Sequence, residues 1–456
     1  MNFAPMAKTK TTFFCRSCGY ESAKWIGRCP SCNSWNSFVE EVVVQNKNTS
    51  WSKGNRKEKA MVVNLKEITS ESAPRLQLSD EELNLVLGGG VVPGSVILLG
   101  GEPGIGKSTL LLQIAAQSNY KVMYASGEES AEQIKLRADR IGHLQSQCLV
   151  VAETLLENIM EAMDEHKPEI VIIDSIQTMH SDTIDNAPGS IVQIRECTAK
   201  MLQYAKENNV PVFLIGHITK DGSIAGPKLL EHMVDTVLQF EGDRQYTYRV
   251  LRNLKNRFGS TNEMGIYSMN NTGLEPVKNP SEILLAQREE HLSGIAVGCA
   301  MEGLRPLLLE IQSLVSTAVY GTPQRSSTAF DLRRLNMLLA VLEKRCGFRL
   351  GQQDVFVNIA GGIRLEDPAL DLAVMAAVMS SYQNISLPQK TVFAAEVGLS
   401  GEIRAVQRVD QRISEAQKLG FEEIVISRYN KIPDKKYSIK IKTFSRVDEV
   451  FSWIFG

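Results

Sequence analysis

No apolar run in this 456-residue chain approaches the ~18 residues that cross a bilayer, and the N-terminus lacks the apolar core of a signal peptide. A helical membrane span is therefore excluded, and a cytoplasmic protein with no membrane partner is expected. Met6 begins as good an N-terminus as Met1, so Met1 to Pro5 read either as an upstream start or as residues foreign to the native chain. Charge of one sign is also missing: 50 Lys and Arg face 52 Asp and Glu, a net charge of −2. Any DNA contact must then rest on local basic surface, since the whole chain carries no electrostatic footprint for nucleic acid. Cysteine is scarce, with eight residues. Cys148, Cys197, Cys299 and Cys346 lie scattered among apolar neighbours and read as small core residues. The length suffices for about three domains with ample buried core.

One stretch stands out from that background. Gly101-Glu102-Pro103-Gly104-Ile105-Gly106-Lys107-Ser108, followed by Thr109, fits G-x-x-x-x-G-K-[ST]. The run Val96 to Leu99 reads as a buried strand, and Thr109 to Ala116 as a helix opening where the glycines end. In that context the glycines let backbone N–H groups converge on phosphate oxygens at a helix N-terminus. Lys107 is expected to reach the β- and γ-phosphates and Ser108 to hold Mg²⁺, so a nucleoside triphosphate is the predicted ligand.

The other four cysteines form Cys15-x-x-Cys18 and Cys29-x-x-Cys32. Two such knuckles complete a tetrahedral zinc site, whose binding energy folds a segment too short to fold itself. Two disulfides are the competing arrangement, disfavoured in a reducing compartment. The expected organisation is a four-cysteine zinc finger over 13–40 and a polar linker over 41–75. An α/β P-loop ATPase domain over 76–278 and a second α/β domain over 284–456 follow. Lys53, Arg56, Lys57 and Lys59 in the linker read either as a nucleic-acid contact or as a solvated charge run.

Within the ATPase segment, strand-like runs alternate with helical ones, as in a parallel sheet wrapped by helices. Val122 to Ala125 is a strand, with Glu128 and Glu129 at its end. Those carboxylates are placed either to polarise the attacking water or to start the helix Ala131 to Ile141. Ile170 to Asp174 is an apolar strand ending in an acid, and Asp174 is expected to bind Mg²⁺. Val212 to Gly216 delivers His217 to the same sheet edge, as a γ-phosphate sensor or as an ordinary hydrogen-bonded residue. Two loops, His180 to Ser190 and Thr219 to Lys228, read as flexible tracks for a phosphate backbone or as plain surface, with Lys220 and Lys228 as candidate DNA contacts.

The P-loop, Gly127 to Ser130, Ala225 to Asp235, and above all Lys255-Asn256-Arg257-Phe258-Gly259 resemble the bacterial RadA (Sms) family, whose pattern includes the N-terminal four-cysteine finger. The resemblance covers nearly the whole chain. It implies a RecA-like ATPase that uses ATP and assembles into a homo-hexamer on single-stranded DNA. It also implies branch migration of recombination intermediates, in homologous recombination and repair, beside the RecA recombinase. Lys255 and Arg257 are placed just after a strand expected over Tyr246 to Leu251. By sequence alone they are two solvated cations; the resemblance makes them catalytic groups that cross to a neighbour's γ-phosphate.

After Pro280 a strand Val355 to Ala360, a helix with Leu370, Val374, Ala377 and Val378 on one face, and a hairpin at Ser400-Gly401 are expected. Asp367 to Asp371 and Gly401 to Val406 resemble the proteolytic domain of Lon. Lon carries a serine where this chain has Ala369 and a lysine where it has Asp410, so the alternative of an ATP-driven protease lacks its nucleophile and its base. A regulator or kinase built on the same ATPase core is the third class, opposed by the finger and the Lys-Asn-Arg-Phe-Gly block. Arg325, Arg333, Arg334, Lys344, Arg345 and Arg349 are candidate contacts to duplex DNA, or simply exposed residues.

Overall fold

The computed structural model describes residues 9–15, 20–31, 33–44, 74–142, 147–217, 228–242, 248–285, 292–318 and 322–456. First in chain order comes an antiparallel ribbon of β1 (Thr9–Cys15), β2 (Glu21–Ser22) and β3 (Phe38–Val44), ordered β2-β1-β3. Among the described residues its apolar interior is small: Cys15, Cys29 and Phe38, with Phe13 against them and Phe14 also buried. So little apolar burial does not stabilise a fold unaided, which accords with a metal-built ribbon. The strand β3 runs to Val44, so the finger boundary expected at 40 cuts through it. At the linker's other end, Leu76 pairs with Val91.

Contact clustering divides the chain into two compact units, Met1–Glu241 with Arg249–Pro276, and Gly242–Tyr248 with Val277–Gly456. The first contains α1 (Glu81–Val86), β4 (Val96–Gly101), α2 (Lys107–Gln117), β5 (Val122–Ser126) and α3 (Ala131–Ile141). Next come β6 (Cys148–Ala152), α4 (Leu156–His166), β7 (Ile170–Asp174), α5 (Ile191–Asn208) and β8 (Val212–His217). The unit closes with α6 (Lys228–Met233), β9 (Thr236–Glu241), β10 (Tyr248–Asn256), β11 (Met264–Asn270) and β12 (Gly273–Pro276). Nine strands form one sheet in the order β12-β11-β10-β9-β4-β8-β7-β5-β6. From β9 to β6 neighbouring strands are parallel.

The apolar runs explain this layering. In β4, Ile97 and Leu99 join one core with α2 and α3, while Val96 and Leu98 join a second core with α4 and α5. Alternation along a strand buried on both faces demands helices on both sides. Parallel pairing also brings the carboxyl ends of β4, β5, β7 and β8 to one edge, where open α/β sheets bind ligands.

The second unit contains α7 (Pro280–Leu284), β13 (Ile295–Glu302), β14 (Arg305–Thr317), β15 (Arg325–Thr328), α8 (Leu332–Cys346) and β16 (Gln353–Ile359). There follow α9 (Asp371–Gln383), β17 (Thr391–Ala394), β18 (Glu396–Val397), β19 (Ile403–Arg404), α10 (Val409–Lys418), β20 (Glu423–Ser427), β21 (Lys440–Phe444) and α11 (Val447–Phe455). Its main sheet runs β15-β16-β14-β13-β17-β20-β21, and β18 pairs with β19 across Ser400-Gly401. The one-sided face expected for α9 is corrected: every residue from Asp371 to Ser380 is buried, so the helix is core on all sides. Among the described residues no helix is long and apolar enough to cross a membrane.

Candidate functional site

The loop between β4 and α2 bends through Gly104 at φ 78° and Gly106 at φ 116°. A side chain at Gly106 would be strained in that backbone and would meet the Met269 Cε at 2.7 Å, so sequence and packing both demand glycine. Lys107 opens α2 with its side chain 4% exposed, and its Nζ donates to the carbonyls of Gly101 (2.8 Å) and Glu102 (2.9 Å). Burial pulls its pKa down to about 8, against the attraction of Asp174, Glu128 and Glu102. These acids therefore surround the lysine on the sheet edge that the parallel strands create.

Asp174 ends β7 with 3% exposure. The Tyr124 hydroxyl, from the neighbouring β5, donates to its Oδ2 at 2.5 Å, whereas its Oδ1 is buried with no hydrogen-bond partner among the described residues. Burial, with the Asp174 charge next, lifts the Tyr124 pKa well above the phenolic range, and Ser108 of α2 lies close enough to oppose that shift. The hydroxyl thus holds one oxygen of Asp174 on the side near Ser108, and the unsatisfied carboxylate oxygen is what a hard cation requires. The two predicted Mg²⁺ residues fit that ion. Sequence reading missed Tyr124, because a tyrosine in an apolar strand reads as core.

Glu128 and Glu129 follow β5, and both backbone N–H groups donate to the Ser126 hydroxyl. Their side chains part. Ser175, joined to Asp174 by a cis peptide bond, donates to Glu128 Oε1 at 2.6 Å, so Glu128 faces the strand end that carries Asp174. Glu129 is ion-paired with Arg137 of α3. The helix α3 is started by Ser130 and Gln133 in a reciprocal cap, which leaves Glu128 free of the alternative capping role.

Lys255 and Arg257 lie elsewhere. The strand expected over Tyr246 to Leu251 is corrected to β10, Tyr248–Asn256, so Lys255 is inside it, after an irregularity between Asn253 and Lys255. Lys255 Nζ donates to the carbonyls of Glu231 (2.7 Å), His232 (3.3 Å) and Val234 (2.7 Å) at the end of α6. Burial, then the nearby Arg257, lowers its pKa. Arg257 Nη1 lies 3.3 Å from Asp235 Oδ1, and Asp235 Oδ2 accepts from the Val96 N–H at the start of β4. The phosphate loop begins at the other end of β4, so about 16 Å of strand separates these cations from it. Arg75 secures the turn by donating to the carbonyls of Phe258, Leu87 and Gly90.

The loop from His180 to Ser190, expected to be flexible, is built. Gln193 Nε2 donates to the carbonyls of Ser181, Ile184 and Asn186, and its Oε1 accepts from the Ser181 N–H. Residues 218–227, with Lys220, lie outside the described residues, as do the side chains of His217 and Lys228. So do Cys18 and Cys32, the linker cluster of Lys53, Arg56, Lys57 and Lys59, and residues 1–8. Cys15 and Cys29, which are described, are both buried in the ribbon core.

In the second unit Arg334 is spoken for: its guanidinium pairs with the buried Asp371, with Nε 3.0 Å from Oδ1. Arg325 Nη1 reaches Asn336 Oδ1 at 3.3 Å, whereas Arg333, Lys344, Arg345 and Arg349 are exposed. At the place where Lon keeps its serine, Ala369 is fully buried, and Asp410 is exposed on α10. The adjacent Asp367 carboxylate is held by Arg412 Nη2 at 2.7 Å and by the Met301 N–H at 2.6 Å. A neutralised, occupied carboxylate next to a methyl group offers no peptidase chemistry.

Comparison with known proteins follows the same division. The Rubredoxin metal binding domain matches residues 13–40, the AAA domain residues 64–223, and Subunit ChlI of Mg-chelatase residues 311–430. The DNA repair protein RadA of Halalkalibacterium halodurans is 52% identical over 436 residues, covering 94% of each chain. That of Listeria monocytogenes is 50% identical over 444 residues, covering 96% of this chain and 97% of its own. That of Bacillus subtilis is 50% identical over 432 residues, covering 93% and 94%. The architecture is therefore a zinc ribbon, a RecA-like ATPase domain and a Lon-like α/β domain, with an ATP-hydrolysing core.

Proposed function

We infer a DNA-dependent motor, because the chain belongs to the bacterial RadA family of DNA repair proteins. It binds single-stranded and branched DNA, works as a homo-hexameric ring in the cytoplasm, and drives branch migration of recombination intermediates alongside the RecA recombinase. ATP is the fuel. The backbone of Gly101 to Ser108 cradles its phosphates, with Thr109 in the next position of α2, and Lys107 leaves its two carbonyl partners for the β- and γ-oxygens. Ser108 and Asp174 Oδ1 hold Mg²⁺, which when bound neutralises charge on those oxygens. Glu128 orients the attacking water, and Glu129 keeps α3 in place through Arg137. Cys15, Cys18, Cys29 and Cys32 hold the structural zinc.

The observation that carries this reading is the separation within one chain of the phosphate loop from Lys255 and Arg257. Cations at the far end of β4 do not reach their own chain's nucleotide, so their contribution belongs to the next protomer's, which makes hydrolysis depend on assembly. The test is ATP turnover by the purified chain with and without an oligonucleotide. A several-fold rise with single-stranded DNA, together with ring formation in sedimentation, is expected; turnover indifferent to DNA sinks the reading.

A further inference from the structure

We propose that the zinc ribbon carries a stacking surface of its own for single-stranded DNA, built from Trp25, Arg28 and Trp35. This rests on the motor reading and adds a contact outside the ATPase core. Among the described residues the ribbon buries Cys15, Cys29, Phe38 and Phe14, with Phe13 packed against the cluster, and the two exposed tryptophans lie outside it. Trp25 is 53% and Trp35 69% exposed, an unusual state for the largest apolar side chain.

Their placement is fixed by backbone. Arg28 and Trp35 form an antiparallel bridge, and the Asn36 N–H donates to the Gly27 carbonyl at 2.8 Å. The Trp25 ring lies over Gly27, its atoms 3.8 Å from where a Cβ there would stand. The Arg28 guanidinium sits 5.6 Å from the centroid of the Trp35 ring, and its Nε donates to the Asn33 carbonyl at 3.4 Å. One indole thus lies against the guanidinium and a second against the adjoining Gly27. Indole faces and a guanidinium plane both stack on unpaired bases, and the remaining arginine N–H groups suit a phosphate.

Charge chooses the partner. Around the knuckle the sequence sets Lys24 and Arg28 against Glu21, with Glu40 and Glu41 further on in β3, and it continues with Lys47, Lys53, Arg56, Lys57 and Lys59 against Glu58. Cations beside the exposed Trp25 and Trp35, and more along the sequence that follows, suit a polyanion with stackable bases better than a protein surface.

The experiment titrates the full-length, zinc-loaded chain with an oligothymidylate at fixed salt, reading intrinsic tryptophan fluorescence and oligonucleotide anisotropy. Wild type is expected to show saturable quenching. The double variant Trp25→Ala/Trp35→Ala, with zinc content unchanged, is expected to lose that quenching and to bind about ten-fold or more weakly. Trp25→Phe/Trp35→Phe is expected to stay within about two-fold of wild type, and Arg28→Gln to weaken binding several-fold. Should the alanine pair lose zinc, the phenylalanine pair and Arg28→Gln decide. Wild-type affinity in Arg28→Gln and in a zinc-loaded alanine pair overturns the stacking surface alone, leaving the knuckle as a protein-docking face. A wild-type chain that binds no oligonucleotide overturns the motor reading as well.

Discussion

The Tyr124 hydroxyl donates to Asp174 Oδ2 and lies near Ser108, the two side chains predicted to hold Mg²⁺. Acting through Asp174 rather than on phosphate, it is a positioning residue. Tyr124→Phe keeps the ring in its buried slot but leaves both Asp174 oxygens unsatisfied, a penalty of about 1–3 kcal/mol at a buried carboxylate. The Mg²⁺ concentration for half-maximal turnover is then expected to rise several-fold, while nucleotide binding in chelator stays unchanged. An identical Mg²⁺ titration would remove Tyr124 from the site. The contrast with Lys107 shows what a sequence can reveal here. A phosphate loop is specified by consecutive residues whose backbone does the binding, so Gly101 to Ser108 can be read directly. The aim of the Tyr124 hydroxyl depends on β5 lying beside β7, and that neighbour is chosen by strand order, which no local pattern records.

Among the elements, the segment from His180 to Ser190 behaves as a built structure rather than a free loop. Besides the Gln193 bracket, Ser181 Oγ donates to Glu157 Oε1 at 2.6 Å, and Lys200 Nζ lies 2.6 Å from the same oxygen and 2.7 Å from Ser181 Oγ. Burial pushes the Glu157 pKa up, but the Lys200 ammonium and the Ser181 hydroxyl outweigh it and bring the pKa down to about 2. A carboxylate depressed on folding contributes stability above its ordinary value of 4.5 and loses it as pH falls from there toward about 2. Glu157→Gln is therefore expected to melt about 1–3 °C below wild type at neutral pH, a modest amount because the pair is partly solvated. The difference should close between pH 4.5 and 2, and a gap independent of pH in calorimetry would refute the anchor. Composition misled at this scale: Gly, Ser and Asp mark a turn-rich segment but do not say whether one glutamine ties it down. The alternating apolar residues of β4, by contrast, allowed the two-sided sheet to be foreseen, because each face needs its own helices. For α9 the same periodic reading failed, since alanine and methionine pack wherever the core surrounds them.

For the whole molecule the question is whether one chain can complete a catalytic site. Lys255 is enclosed by three carbonyls at the end of α6, so replacing it removes a helix cap as well as a charge. Arg257, 54% exposed and held among the described residues by a 3.3 Å side-chain contact to Asp235, is the cleaner probe. Arg257→Ala is expected to fold as wild type does, since the buried Asp235 keeps Lys206 Nζ at 2.8 Å and the Val96 N–H as partners, yet to lose DNA-stimulated turnover. Lys107→Ala should be equally inactive for the opposite reason, an intact arm beside a phosphate loop without its cation. Mixing the two inactive proteins separates assembly from folding. In a head-to-tail ring, an Arg257→Ala protomer supplies an intact phosphate loop and a Lys107→Ala neighbour supplies an intact arginine, so roughly one interface in four regains both parts. About a quarter of wild-type turnover is then expected from an equimolar mixture that has exchanged subunits. If each site were completed within its own chain, the mixture would stay as inactive as its components, and the shared-site mechanism would fall with it.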